Sequence, residues 1–102
     1  MAKVIAMYKR PVDPAAFDRY YYATHVPIAK KIPGLKGYEV TSGPVTTLEG
    51  PSPYHLVALL TFDSLAAIHA ALASAEGQAT AADLGNFATG GVELFVADTK
   101  II

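Results

Sequence analysis

The residues best equipped for chemistry are one histidine and several tyrosines. His25 falls in the series Phe17, Tyr20, Tyr21, Thr24, His25 and Ile28, whose three- and four-residue steps place them on one stripe of a helix. An imidazole on such a stripe is at least partly buried, and a neutral imidazole beside a pocket suits proton transfer near pH 7. Pro27, two residues on, has no N–H and leaves the carbonyl of Ala23 without its helical partner. Counted back from the Pro33-Gly34 turn, His25 lies about 10 Å down the helix and Tyr38 about 13 Å along the next strand. Both therefore reach similar heights. His25 is the candidate acid or base, and Tyr38 the candidate hydrogen-bond donor to a carbonyl or enolate oxygen. The other reading makes His25 a helix-packing residue bonded to a backbone carbonyl. Tyr8, Tyr21 and His55 are candidate ligand contacts, with Tyr20 and Tyr22 as further phenol donors. His55 opens a strand and could line an open sheet face, or it is an ordinary strand-end histidine. His69 reads as a solvated or helix-interface residue.

Other chemistries find less support. The three histidines sit in separate elements without an H-x₃-H spacing and there is no cysteine, so no metal site is expected. Ser42, Thr41 and Thr61 have no His/Asp companion at a motif spacing for nucleophilic hydrolysis. Gly90-Gly91 precedes a strand rather than a helix, which makes it a turn and not a phosphate cradle. No flavin or nicotinamide fingerprint is present, and no cofactor is expected. A haem held axially by a histidine stays open at this level.

The elements that must position these residues follow from pattern and punctuation. Lys3–Tyr8 is an apolar run that reads as a strand covered on both faces. Asp13 suits an N-cap, Pro14 the first helical position, and Val12 with Phe17 a hydrophobic staple. The helix runs through His25, with a kink or early end expected at Pro27. Leu35–Val45 reads as a second strand, with Tyr38, Val40 and Ser42 on one side and Gly37, Glu39 and Thr41 on the other. Thr46–Pro53 reads as a polar loop, and Tyr54–Phe62 as the strongest strand. Asp63 or Ser64 caps a second helix to about Ala75 with Leu65, Ile68 and Leu72 buried, Glu76-Gly77 interrupts it, and Gln78–Leu84 continues. Val92–Ala97 is the last strand.

The order β-α-β-β-α-β is the α+β, ferredoxin-like arrangement: an antiparallel four-stranded sheet with helices on one face, in a single domain over residues 1–102. Two helices cover only one sheet face. Yet the strands carry apolar residues on both, as in Val4 and Ile5, Leu56 and Val57, and Leu94 and Phe95. A second copy would cover the other face, so a homodimer is expected.

Composition sets the outer bounds. The 102 residues, of about 10.7 kDa, are 52% hydrophobic and 17% charged, with a net charge of −1 and no cysteine. That excludes a disordered chain, disulfide staples and a general nucleic-acid binder. Area scaling gives about 5,500 Å² of accessible surface for a compact monomer of this mass. Seven of the eight basic residues precede Glu39 and seven of the nine acids lie from Glu39 onward. No basic run exceeds two residues, so the halves are expected to interleave. No apolar run reaches about 18 residues and Met1-Ala2-Lys3 leads into a strand, so neither a membrane span nor a signal peptide is expected, and the location is expected to be cytoplasmic.

The run Tyr21-Tyr22-Ala23-Thr24-His25-Val26-Pro27, with Ile32-Pro33-Gly34-Leu35-Lys36-Gly37-Tyr38-Glu39-Val40, resembles the signature of the EthD family. Tyr8-Lys9, Phe17, Ala75-Glu76-Gly77-Gln78 and Asn86-Phe87 extend the resemblance over nearly the whole chain. It implies a dimeric α/β barrel, a small apolar or aromatic ligand, and an oxidoreductase- or isomerase-type catabolic role without cofactor. The alternative it implies is a non-catalytic accessory of a cytochrome P450 monooxygenase system. A branch similar to methylmuconolactone methylisomerase has a His and a Tyr matching His25 and Tyr38. Its pocket cysteines have no counterpart here, which counts against that reaction.

Overall fold

The computed structural model describes residues 1–102 and has four main strands in one antiparallel sheet, ordered β2-β5-β1-β6. These are β1 (Ala2–Lys9), β2 (Gly37–Val40), β5 (Tyr54–Phe62) and β6 (Val92–Asp98). Two further strands, β3 (Thr46–Thr47) and β4 (Gly50–Pro51), form a small hairpin. The helices are α1 (Pro14–Tyr20), a π turn (Tyr21–His25), α2 (Val26–Ala29), α3 (Leu65–Ala73) and α4 (Ala75–Asp83), with a 3₁₀ turn at Leu84–Asn86. This is the expected ferredoxin-like order. No helix is long and apolar enough to cross a membrane.

Local chemistry explains the boundaries. Asp13 caps α1 by accepting from the Ala16 N–H, with Pro14 at the first helical position. Ser64, rather than Asp63, caps α3 through the Ala67 N–H. The break between α3 and α4 falls at Ser74 and not at Gly77. Ser74 has extended backbone (ψ 161°), ends α3, and caps α4 through the Gly77 N–H. Gly77 instead sits inside α4 because α3 passes so close that a Cβ there would meet the Ala71 carbonyl oxygen at 2.1 Å.

Several other expectations are corrected. Val12 is 87% exposed, so it forms no staple with the buried Phe17. The second strand is shorter than Leu35–Val45, because after Val40 the Thr41 side chain takes over pairing with Val57 and Gly43-Pro44 turns the chain away. The polar loop contains the β3-β4 hairpin. On α3 the buried residues are Ile68 and Ala71, whereas Leu65 and Leu72 lie at the surface.

The sheet register sorts residues by face. Ala2, Val4, Ala6 and Tyr8 of β1 share the helix side with Leu56, Ala58, Leu60 and Phe62 of β5 and with Tyr38 and Val40 of β2. Ile5, Met7, Val57, Leu59 and Phe95 fall on the other side, which nothing in the chain covers. The molecule is a slab of 35 × 34 × 18 Å, two layers thick. Its 6138 Å² of accessible surface exceeds the roughly 5,500 Å² of a compact monomer, as an uncovered sheet face requires.

Candidate active site

The helix that carries His25 changes pitch just before it. Over Tyr21–His25 the turn is π, and the Val26 N–H donates to the Tyr21 carbonyl five residues back. Pro27 is the cause: its ring would collide with the Ala23 carbonyl in an α-helical register, and it has no N–H to offer. Widening by one residue relieves the collision, so a π turn stands where a kink or early end was expected. It buries Tyr21 and His25 together, with their rings 5.4 Å apart.

His25 is anchored from across the layer by Asp83, at the end of α4. His25 Nδ1 lies 2.8 Å from Asp83 Oδ2, and both residues are buried. The Tyr20 hydroxyl donates to Asp83 Oδ1 at 2.6 Å, and Asn86 Nδ2 donates to the same oxygen at 3.0 Å. Burial pushes the Asp83 pKa up, but the donors from Tyr20, Asn86 and His25 outweigh it and hold the carboxyl below its ordinary value. An ionised carboxylate only accepts, so Nδ1 carries the proton and the lone pair of neutral His25 is on Nε2. Burial lowers the His25 pKa, with Asp83 only partly opposing it. At neutral pH His25 is therefore an oriented, uncharged base.

Two phenols complete the set. The Tyr21 and Tyr38 hydroxyls are 2.6 Å apart. One hydrogen is spent inside that pair, and the other is free to donate outward. Burial is the main cause that raises the pKa of Tyr8, Tyr21 and Tyr38, so all three remain protonated donors at neutral pH.

Tyr8, Tyr21, His25 and Tyr38 line one cavity of about 80 Å³ between the sheet and the helices. Ala6 and Ala58 floor it, and Gly77 and Ala81 of α4 border it. No buried side-chain nitrogen or oxygen lacks a partner. Since His25 Nε2 and the Tyr8 hydroxyl bond to nothing within the chain, both open onto accessible space. Leu72 and Leu94, 41% and 53% exposed, stand where the lining meets solvent. The volume is below the ~300–1,000 Å³ of drug-sized sites. It admits a small ligand, or one end of a larger one that protrudes past these leucines.

The structure thus joins four of the five predicted site residues and separates the fifth. His55 is not on the open sheet face. A bulge opposite Tyr8 and Lys9 leaves it unpaired and turns it toward α1, where Nε2 lies 2.8 Å from Asp18 Oδ1 and the ring meets Phe17 edge-on. His69 is on the exposed face of α3. Asp83, Asn86 and Tyr20 were not recognised from the sequence as supports of His25. A signal for Asp83 exists: a carboxylate in the last position of a helix opposes the macrodipole, so a specific partner must hold it.

The chain matches the EthD domain over residues 9–91. It is 43% identical, over 104 residues, to an uncharacterized 11.0 kDa protein of the thcB-thcC intergenic region in Rhodococcus erythropolis, covering 100% of this chain and 98% of that protein. It is similar to the crystal structure of an ethyl tert-butyl ether (EthD) family protein from Bacillus halodurans, with TM-score 0.90 and 34% identity over 98% of this chain and 99% of that one. At the level of fold alone it resembles SnoaB, a cofactor-independent oxygenase from Streptomyces nogalater, with TM-score 0.69 and 15% identity over 99% of this chain and 94% of that one.

Proposed function

The chain belongs to the EthD domain family, and from that premise we propose that it is a cytoplasmic, cofactor-independent acid–base catalyst acting on a small apolar or aromatic metabolite. The observation that carries the reading is the free Nε2 of His25, fixed in tautomer by Asp83 and sharing an apolar cavity with phenol donors. His25 Nε2 takes a proton from an acidic C–H or O–H of the ligand. The Tyr21–Tyr38 pair donates to the carbonyl or enolate oxygen on which negative charge develops. Such a carbanion or enolate is the shared intermediate of proton-shuffling isomerisation and of cofactor-free oxidation. Asp83 keeps the resulting imidazolium paired.

The working form in this reading is a homodimer, in which the open face with Ile5, Met7, Val57, Leu59 and Phe95 packs on its copy. Phe95 alone is 48% exposed in the single chain.

The test is native mass spectrometry of purified protein, with identification of any small molecule retained, on wild type and His25→Ala. The reading expects the same molecule on both, unchanged by wild type only when it is product, and transformed by wild type but not by His25→Ala when supplied as substrate. Equal binding with no transformation by either would instead establish the accessory role, a carrier serving a separate oxygenase system.

A further inference from the structure

A second cavity shares no lining residue with the first. It is a cleft of about 310 Å³ on the far side of the π turn, lined by Arg10, Asp18, Tyr22, Thr41, Tyr54 and His55 with the 43–45 loop and Leu56. Unlike the buried cavity, it reaches the size of ordinary small-molecule sites.

We propose that this cleft binds a small carboxylic acid, gripping the carboxylate with Arg10 and packing its apolar body against Val45, Leu56 and the ring of Tyr22. The cleft carries unspent hydrogen-bonding capacity. The acidic side chains that meet a basic one are Asp83, Asp63 and Asp18, against His25, Lys36 and His55, so the Arg10 guanidinium has no partner, and its planar fork matches a carboxylate. The Tyr22 hydroxyl bonds to nothing within the chain. Thr41 Oγ1 accepts from the Val57 N–H, which leaves its own hydrogen to donate. His55 Nε2 lies 2.8 Å from Asp18 Oδ1, so one oxygen of that carboxylate is already bonded and Asp18 has no free pair of oxygens to offer the Arg10 fork.

Charge then selects within the anions. One unpaired cation beside the single carboxylate of Asp18 matches a monoanion, whereas Asp18 repels the second charge of a phosphate. The wall is half apolar, through Pro44, Val45 and Leu56, which favours an organic acid over an inorganic ion. The bulge in β5 gains a purpose here. By leaving His55 unpaired it swings the imidazole onto Asp18, and so clears Arg10 for a ligand.

Titration of the intact protein with benzoate, followed by amide and side-chain NMR, tests this. Shifts should concentrate at Arg10, Tyr22, Thr41 and His55. Arg10→Met should weaken binding by about 10- to 100-fold, as loss of a charged hydrogen-bond pair does, and Tyr22→Phe should weaken it less. Benzyl alcohol and inorganic phosphate should each bind at least tenfold more weakly than benzoate. His25→Ala should leave benzoate affinity unchanged, which separates this site from the catalytic one. Unaltered affinity in a folded Arg10→Met protein, shifts confined to the His25 cavity, or tighter binding of phosphate would each overturn the proposal.

Discussion

At the scale of residues, the site depends on a carboxylate that the histidine cannot do without. Asp83→Asn keeps the shape but removes the ionised acceptor. The His25 pKa, already lowered by burial, should then fall further, because the charge that partly opposed burial is gone. An NMR pH titration of the His25 ring reads this directly, and an unchanged or higher value contradicts the network. Stability follows by linkage. Both His25 and Asp83 have folded-state pKa values below their ordinary values of 6.5 and 3.8. The unfolded chain therefore binds more protons than the folded one in each window, and stability decreases as pH falls. The first loss begins below about 6.5 as His25 comes under pressure to charge, and the second begins below about 3.8 as Asp83 does. Thermal unfolding against pH should show the upper loss in wild type and lack it in His25→Gln. His25 and Tyr38 were readable as a pair because the turn at Pro33-Gly34 fixes their heights. Asp83 was not, since its 58-residue separation from His25 is bridged only by tertiary packing.

At the scale of elements, proline and glycine decide where the site residues point. Pro27 imposes the π turn that brings Tyr21 and His25 into one wall. Pro27→Ala restores the missing donor and removes the ring that forces the wider turn, and the α-helical hydrogen bond so regained is worth about 1 kcal/mol. The helix should return toward α register, with a higher melting temperature and displaced His25 ring resonances. A lower melting temperature with His25 unmoved would contradict this origin for the turn. Gly77 acts oppositely. A methyl group there collides with the Ala71 backbone, so Gly77→Ala should cost about 1–3 kcal/mol, measured by chemical denaturation. Elements with sharp chemical punctuation, such as Asp13-Pro14 and Ser64, were legible in sequence. The α3–α4 break was misplaced because glycine reads as a breaker, whereas here it permits close helix packing and serine makes the turn. Leu65 and Leu72 were assigned to the core by periodicity, but alanines at 67 and 71 let the helix lie close on its small side. Leu72 is left for the cavity rim.

At the scale of the whole molecule, an apolar composition in a two-layer slab leaves one sheet face without cover. That surplus was visible in the sequence as strands apolar on both faces, because strand alternation converts directly into sheet faces. Light scattering should give a mass about twice 10.7 kDa. Phe95→Glu, which places a charge on the open face opposite Ile5, should shift the protein to monomer at micromolar concentration. A monomeric wild type would remove the dimer from the account. The catalytic proposal would survive, since every atom it uses lies in one chain.

The most direct test of the central claim is proton exchange itself. Phenylacetone, a small aromatic ketone with acidic C–H bonds, is incubated with the protein in deuterated buffer, and deuterium uptake is followed by NMR. Wild type should accelerate uptake above buffer, and His25→Gln should lose about 10²- to 10⁴-fold of that acceleration, the usual contribution of a positioned base. Tyr38→Phe should lose a smaller part. Equal exchange by wild type and a folded His25→Gln protein would contradict the assignment of His25 as the base.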